Sequence, residues 1–135
     1  MPEHVTTSEE GTAVVARALA SRLVSGDVVL LSGELGAGKT AFVRGLAEGL
    51  GIDPREVSSP TFTLLHEYRG GRLRLHHGDL YRLANAEPDD LGLDELLEGD
   101  GVVAIEWPDR LTRVPPGALH VAIEYLADDT RRISW

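Results

Sequence analysis

Eight consecutive residues at positions 33–40, GELGAGKT, have the types and spacing that hold a chain of phosphates. Glycines let the backbone curl so that successive N–H groups point inward at phosphate oxygens, and a following helix adds the positive end of its dipole. The stretch predicts a phosphate-binding loop, or P-loop, rather than a glycine turn that only caps a helix. Its predicted nucleotide-binding residues, with the residue that follows, are Gly33, Gly36, Ala37, Gly38, Lys39, Thr40 and Ala41.

Lys39 is the only lysine of the chain, and the other twelve basic residues are all arginine. An ammonium is a compact charge on a thin stem, whereas the guanidinium of arginine is a wide planar fork. The pattern predicts that Lys39 reaches the β- and γ-phosphates from inside the loop, where arginine does not fit. The alternative is a single lysine retained by drift. The hydroxyl of Thr40 is the predicted Mg²⁺ ligand of the loop.

The nucleotide is predicted to be ATP. P-loop proteins of the Ras type normally read guanine with an Asn-Lys-x-Asp element, but the only asparagine here is Asn85 and the only lysine is in the loop. Glutamine is absent from the chain, so the glutamine that positions the attacking water in Ras has no counterpart. These two absences exclude a Ras-like GTPase.

Two carboxylates compete for a place beside the metal, which open α/β sheets bind at the C-terminal ends of strands. Glu106 follows the apolar run 102–105, the form expected of a buried strand that delivers a carboxylate to the sheet edge. Asp79 follows the more polar segment 73–77 and a glycine. The pattern alone favours Glu106 over Asp79. The alternatives are a solvated loop after the strand for Glu106 and an Asx turn for Asp79.

Three further features allow either a functional or a structural interpretation. The adjacent His76 and His77 point to opposite faces of a strand, so they cannot bind one metal ion together, and a structural or hydrogen-bonding role is favoured. Residues 58–61 (Ser-Ser-Pro-Thr) form either a switch loop at the γ-phosphate or an ordinary turn. Trp107 is either a stacking platform or part of the core.

The elements that must position these residues alternate between helical and extended patterns. Thr7 and Glu10 have the spacing of a capping box before a helix that ends near residue 25. The apolar run 28–31 predicts a buried strand before the loop, and residues 42–50 predict the helix after it. Strand, loop and helix are the context that a P-loop requires.

The second half of the chain predicts a mixed sheet. Segments 61–68 and 72–77 read as an antiparallel, partly exposed hairpin, residues 88–97 as an acidic helix, and 102–105 as a buried strand. Residues 119–125 are predicted to pair with 131–135. The sequence therefore predicts one α/β domain over residues 1–135, of the P-loop NTPase type, with three layers and a mixed parallel and antiparallel sheet.

Composition limits the classes of function. The formal net charge is −9, which argues against a direct, sequence-independent grip on nucleic acid. There is no cysteine, so disulfides and thiolate metal sites are excluded, and no apolar run approaches the length of a membrane span. We expect a soluble, cytoplasmic protein that does not contact the membrane.

Four motifs in order resemble the signature of the TsaE (YjeE) family, small bacterial P-loop ATPases needed to make N6-threonylcarbamoyladenosine at position 37 of tRNA. The motifs are GELGAGKT at 33–40, VSSPTF at 57–62, HGDLYRL at 77–83 and IEWP at 105–108. The resemblance implies that Thr40, Asp79 and Glu106 surround Mg²⁺ and the γ-phosphate. It also implies a switch-like loop that includes Thr61, and places Trp107 beside the nucleotide.

The same resemblance implies further contacts and partners. By analogy with the family, Ser8, Thr12 and Arg131 frame the base. The family acts with TsaB and TsaD, which implies an ATP hydrolase that is weak alone, active in the complex, and meets tRNA only through its partners. Two other functions stay open. One is a small-molecule kinase with Arg69, Arg72, Arg74 and Arg82 as phosphate clamps, and the other is a nucleotide-sensing assembly module without significant catalysis.

Overall fold

The structure is a computed structural model that describes residues 3–34, 38–57, 65–81, 85 and 92–135. Its described residues form a seven-stranded sheet and three α-helices. The strands are β1 (Glu3–Thr6), β2 (Val28–Ser32), β3 (Leu65–Tyr68), β4 (Arg74–Asp79), β5 (Gly101–Glu106), β6 (Leu119–Ala127) and β7 (Thr130–Ser134). The helices are α1 (Glu9–Ala20), α2 (Lys39–Gly49) and α3 (Leu93–Glu98), with short 3-10 helices at Pro54–Glu56 and Pro108–Arg110.

The sheet is mixed, with the strand order β1-β7-β6-β2-β5-β4-β3. Its centre is parallel, because β2 pairs in parallel with both β5 and β6, and β4 pairs in parallel with β5. Antiparallel strands extend both sides, β3 next to β4 on one side and β7 followed by β1 on the other. The carboxyl ends of four parallel strands therefore meet at one edge.

Helices cover both faces of the central strands. Alternate residues of β2 belong to different hydrophobic clusters. Val29 and Leu31 pack in one cluster with the buried side chains of α1 and α2. Val28 and Leu30 pack in the other cluster with Leu93 of α3. A strand buried on both faces reads as a continuous apolar run, which explains the sequence of β2. The predicted three-layer arrangement with a mixed sheet is confirmed in these described elements. None of the described helices has the length and apolarity needed to cross a bilayer.

Most predicted pairings are observed. The hairpin prediction is confirmed for β3 and β4, which pair antiparallel with Tyr68 opposite Leu75, while residues 61–64 lie outside the described part of the chain. The pairing of β6 with β7 is also confirmed, with a register shift between Tyr125 and Ala127. Helix α3 begins at Leu93, and residues 88–91 of the predicted acidic helix are not among those described.

The start of α1 differs from the predicted capping box. Ser8, not Thr7, is the N-cap, and its hydroxyl oxygen accepts a hydrogen bond from the backbone N–H of Gly11 at 3.0 Å. The three-residue spacing of a capping interaction is therefore present, but it starts one residue later. The helix also ends earlier, at Ala20 rather than near residue 25.

Two strands show where the sequence interpretation was wrong or incomplete. The segment containing β4 was expected to be antiparallel and partly exposed, but its residues 75–78 are buried and it also pairs in parallel with β5. The histidines concealed this burial, because a buried polar side chain that has a hydrogen-bond partner looks exposed to a hydropathy pattern. Strand β1 was not predicted, since its four residues are mostly exposed and carry no apolar run.

Two glycines let α1 and α2 approach closely. A Cβ atom at Gly45 would lie 2.6 Å from both the carbonyl oxygen of Ala13 and the Cβ of Ala16, and a Cβ at Gly49 would lie 2.6 Å from the Cβ of Ala20. Real Cβ atoms essentially never make contacts this short. The distance between the two helices, and so the position of α2, depends on these glycines.

We expect Gly45→Ala to destabilise the fold by about 1–3 kcal/mol, because the overpacking exceeds the gain of about 1 kcal/mol in helix propensity. Chemical denaturation at equilibrium measures this change in the free energy of unfolding. Gly11→Ala is the matched control in α1, since its Cβ would come no closer than 3.3 Å to Thr6. Equal stability of Gly45→Ala and the wild type would show that the helix contact is not tight.

Candidate functional site

Helix α2 begins without a side-chain cap. Gly38 is the N-cap of α2 with φ 105° and ψ 20°, a left-handed conformation that favours glycine, and it makes no side-chain cap. The first turn contains no acidic residue, so none of its own side chains neutralises the positive end of the helix dipole. The predicted binding residues Gly36 and Ala37 lie outside the described residues.

Lys39 is a buried cation at the first position of α2. Its Nζ atom donates hydrogen bonds to the carbonyl oxygens of Gly33 at 2.5 Å and Glu34 at 3.3 Å. The same atom lies 4.1 Å from the centroid of the Trp107 ring, a cation–π contact. The ammonium thus lies against the backbone of its own loop and a neighbouring aromatic face.

Burial lowers the pKa of Lys39, while the charges of Glu106, Asp79 and Asp109 act to raise it. Desolvation is the larger of these influences, because a charged group loses the stabilisation of water when it is enclosed. Both carboxylates predicted from the sequence therefore lie close enough to Lys39 to act on it. Such an enclosed charge, bordered by opposite charges, is typical of sites that bind charged ligands.

The sheet register brings the two carboxylates to the same level. Glu106, the last residue of β5, is the register partner of both Leu31 in β2 and Asp79 in β4. Glu106 is buried and Asp79 is half-buried. The Oδ1 atom of Asp79 also accepts a hydrogen bond from the backbone N–H of Tyr81 at 2.9 Å, the Asx turn that the sequence left as an alternative. Asp79 can form this turn and still face the site, since a carboxylate has several acceptor positions.

His77 is fully buried beside Glu106. Its Nε2 atom lies 2.6 Å from Oε2 of Glu106, and its Nδ1 atom lies 3.4 Å from the hydroxyl of Tyr68. His76 points to the opposite face of the sheet, where it packs beside Gly101. The hydrogen-bonding role predicted from the sequence is therefore the one observed for His77.

Trp107 follows Glu106 in a strained backbone conformation. Its φ of 59° and ψ of 53° lie in the left-handed region, which a bulky residue rarely adopts. The ring contacts Lys39 on the loop side and lies 4.9 Å from the ring of Tyr81, and it also packs against the cluster around Ile105. The core interpretation is therefore confirmed in part, and the role of the ring as a stacking platform stays a prediction.

The other predicted site residues lie at different distances from the loop. Thr40 is half-buried and Ala41 is buried in the first turn of α2. Arg131 borders the loop, since a Cβ at Gly38 would lie 3.9 Å from its Nε atom. Thr61 lies outside the described residues, together with the rest of the predicted switch loop.

Ser8 and Thr12 have structural contacts at the start of α1. Ser8 caps the helix, and the buried hydroxyl of Thr12 lies 3.0 Å from that of Thr6. Their predicted contact with a base stays a prediction.

Asp109 was missed by the sequence analysis, although its negative charge acts on Lys39. Its position three residues after Glu106, in the loop that leaves the sheet edge, was the signal that could have revealed it.

The donors at this edge suit Mg²⁺ held largely by phosphate. Thr40, Asp79 and Glu106 offer one hydroxyl and two carboxylates, all hard oxygen ligands, and Mg²⁺ in nucleotide sites takes one or two carboxylates besides phosphate oxygens and water. Among the described residues, no group of three or more His, Cys, Asp or Glu side chains could hold a metal ion by itself. The residues therefore fit a metal that arrives with a nucleotide rather than a cage made by the protein alone.

The sheet and its site define a class of three-layer α/β proteins whose candidate site lies at the carboxyl ends of parallel strands. A family model described as "Threonylcarbamoyl adenosine biosynthesis protein TsaE" matches residues 6–133. The chain therefore belongs to the TsaE family.

Relatives and a solved structure agree with this assignment. Two proteins described as "tRNA threonylcarbamoyladenosine biosynthesis protein TsaE" are similar to the chain. The one from Bacillus subtilis (strain 168) is 45% identical over 131 residues, covering 96% of this chain and 82% of the relative. The one from Treponema pallidum (strain Nichols) is 46% identical over 132 residues, covering 96% of each. A crystal structure of Bacillus subtilis YdiB matches with a TM-score of 0.77 at 38% identity, covering 98% of this chain and 82% of that one.

The buried His76 predicts an acid-sensitive step in stability. Burial is the main cause that lowers the pKa of His76 in the folded state, with the Glu67 carboxylate acting in the opposite direction and Arg74 and Arg69 adding to the decrease. The unfolded chain then binds more protons than the folded chain between the lowered pKa and the ordinary value of 6.5. Stability due to neutral His76 is present above that value and is lost as the pH falls below it.

We expect His76→Leu to flatten the pH dependence of the free energy of unfolding between about pH 7.5 and pH 5, because the titrating group is gone. Denaturation of wild type and variant across this range measures the difference, in which the titrations shared by both proteins cancel. Parallel curves for the two proteins would contradict the assigned cause.

Proposed function

We propose that the protein is an ATPase of the P-loop NTPase type that serves N6-threonylcarbamoyladenosine modification of tRNA. The observation that carries the proposal is the enclosure of Lys39 at the N-terminus of α2, next to the carboxylates of Asp79 and Glu106. This group provides a cation for phosphates and two acids for metal or water at one sheet edge. The tRNA pathway comes from the names of the relatives.

The proposed binding step uses the loop backbone, the start of α2 and the ammonium of Lys39. The phosphates would accept hydrogen bonds from backbone N–H groups of the loop and from the N-terminus of α2. Lys39 would exchange its bonds with the carbonyl oxygens of Gly33 and Glu34 for bonds with the β- and γ-phosphates. The exchange favours phosphate because the ammonium then pairs with full negative charges instead of carbonyl dipoles.

The proposed chemistry is attack of water on the γ-phosphate. Bound Mg²⁺ would neutralise charge on the phosphates, with Thr40, Asp79 and Glu106 as the residues that hold it. Lys39 stabilises the charge that develops on the phosphate oxygens. Glu106 or Asp79 orients the water and accepts its proton.

The partners proposed for this activity are TsaB and TsaD, as the resemblance to the family implies. A net charge of −9 fits a subunit that leaves contact with tRNA to its partners. A cytoplasmic location, where tRNA modification takes place, completes the proposal.

A small-molecule kinase finds less support in the positions of the arginines. Arg72 donates to the carbonyl oxygens of Leu23 and Ala20, at 3.1 and 2.8 Å, at the C-terminal end of α1 and just after it. Arg74 opens β4, which places its backbone roughly 16 Å from that of Asp79 at about 3.3 Å per residue. Both therefore lie at the opposite end of the strands from the candidate phosphate site, and Arg82 lies outside the described residues.

The comparison that separates the proposed function from its alternatives is ATP hydrolysis with and without TsaB and TsaD. An ATPase subunit responds to these proteins, a kinase responds to a small acceptor, and a sensing module binds ATP without sustained turnover in either mixture. Transfer of the γ-phosphoryl group of ATP to an added small acceptor, with a rate that does not change when TsaB and TsaD are added, would overturn the proposal.

We expect Lys39→Ala and Lys39→Arg to weaken ATP binding at least tenfold, and to lower turnover by about 10²–10³, because a preorganised positive charge is lost or displaced. Titration calorimetry with a non-hydrolysable ATP analogue measures binding, and phosphate release measures turnover. Arg22→Ala, which removes an exposed cation after the end of α1, is the control for net charge. Wild-type activity of Lys39→Ala, with its circular dichroism unchanged, would rule out the assigned role.

We expect Asp79→Asn and Glu106→Gln each to lower ATP turnover by about 100-fold or more in the complete mixture with TsaB and TsaD, because each removes a negative charge from the metal or water. The amides keep the size of the side chains and most of the packing. Glu124→Gln, on the exposed end of β6, is the matched control. Undiminished turnover in either site variant would exclude that residue from the mechanism.

A further inference from the structure

Three polar side chains form a diagonal row across neighbouring strands, on the face of the sheet that α1 and α2 cover. His77 in β4 is the register partner of His66, and Tyr68 lies two residues further along β3. Glu106 lies two residues beyond Ala104, the partner of His77 in β5. The hydrogen bonds run along this diagonal, from Tyr68 to His77 at 3.4 Å and from His77 to Glu106 at 2.6 Å.

The row is buried in apolar surroundings. Tyr68 is 6% exposed, His77 is 0% exposed and Glu106 is 3% exposed. Leu75 and Ala104, the neighbours along β4 and β5 on the same face, belong to the main hydrophobic cluster. A carboxylate in such a place is costly unless it is hydrogen-bonded, and His77 supplies that bond. If stability alone mattered, a hydrophobic pair of similar volume would serve at least as well.

The hydrogen-bond network assigns the proton on the imidazole. Because an ionised carboxylate can only accept hydrogen bonds, Nε2 of His77 donates to Oε2 of Glu106, and the hydroxyl of Tyr68 lies 3.4 Å from Nδ1 on the other side of the ring. The hydrogen bond between His77 and Glu106 therefore has a defined donor and acceptor. The carboxylate is fixed through one oxygen, and its second oxygen, Oε1, remains for the chemistry of the site.

We propose that His77 is the positioning residue of Glu106: its bond to Oε2 holds the carboxylate in the orientation in which Oε1 acts on the metal or the attacking water. This inference rests on the proposed ATPase function and adds a residue to which neither the sequence motifs nor the family assignment gave a catalytic duty. In metal sites, an outer-shell histidine or carboxylate that orients a ligand affects activity without touching the substrate.

The chain contains its own matched control for this idea. His76 is next to His77 in the same strand and is nearly as buried, but it lies on the other face beside Gly101. A substitution of His76 therefore perturbs the strand and removes a buried imidazole without touching Glu106. A loss of activity that substitutions at His76 and His77 both cause is structural. A loss that only the substitution at His77 causes reports on the orientation of Glu106.

The experiment measures kcat and KM for ATP in the complete mixture with Mg²⁺, TsaB and TsaD, together with the affinity for a non-hydrolysable ATP analogue. His77→Leu is expected to lower kcat by about 10–100-fold and to leave analogue affinity within about threefold of the wild type. His77→Gln places an amide N–H near the position of Nε2, and it is expected to recover most of the rate. His76→Leu is expected to keep wild-type kinetics.

Two further variants make the test independent of folding. The side chain of His77→Asn is too short to reach Oε2, so it is expected to be much slower than His77→Gln, although both are neutral amides. In a Glu106→Gln background, His77→Leu is expected to cause little further loss, because two groups that act as a unit are not additive. If His77→Leu does not fold, the Gln and Asn variants decide the question.

The outcomes separate the positioning role from the proposed function itself. Equal rates for His77→Gln and His77→Asn, or full additivity with Glu106→Gln, would overturn the positioning role while the ATPase stands. A wild-type protein that neither binds the analogue nor hydrolyses ATP in the complete mixture would overturn the proposed function. If His76→Leu lowers kcat as much as His77→Leu does, His77 only supports the strand, and the positioning role is overturned.

Discussion

The parallel pairing of β2, β5 and β4 is the constraint on which the rest of the site depends. Because Leu31, Glu106 and Asp79 share one level of the register, the loop that leaves β2 starts beside two carboxylates that are far from it in sequence. A shift of β5 by one residue would turn Glu106 to the other face of the sheet and His77 would lose its partner. Such a shift is opposed because it would turn the carboxylate of Glu106 toward the apolar cluster on the other face.

The helix layer fixes the other half of the site. Lys39 is the first residue of α2, so its position follows from where that helix lies on the sheet. The contacts at Gly45 and Gly49 bring α2 against α1, and Phe42, Val43 and Leu46 bury the inner face of α2 in the main cluster. Rigid elements therefore hold Lys39, Glu106 and the backbone of Asp79, which is the arrangement that a site needing defined distances requires.

Much of this could be predicted from the sequence, because a strand buried on both faces and a glycine-rich loop leave strong local signals. Strands β2 and β5 and helix α2 carry such signals, and the structure has all three. The burial of β4 could not be predicted, since His76 and His77 read as polar while the packing encloses them. The sequence also could not decide which of the two carboxylates, Asp79 or Glu106, lies beside the metal. Their proximity follows from strand order, and no local pattern states that β4 lies next to β5.

Several departures from ordinary folding rules meet at this edge of the sheet. A buried ammonium, a tryptophan in the left-handed region and a buried histidine–carboxylate pair each reduce stability relative to an apolar or glycine alternative. Elsewhere the two described hydrophobic clusters consist mostly of aliphatic side chains, and the buried His76 and the positive φ of 51° at Asp128 are departures outside this edge. Because local rules fail together where Lys39, Trp107, His77 and Glu106 meet, selection for binding and catalysis accounts for them better than selection for stability.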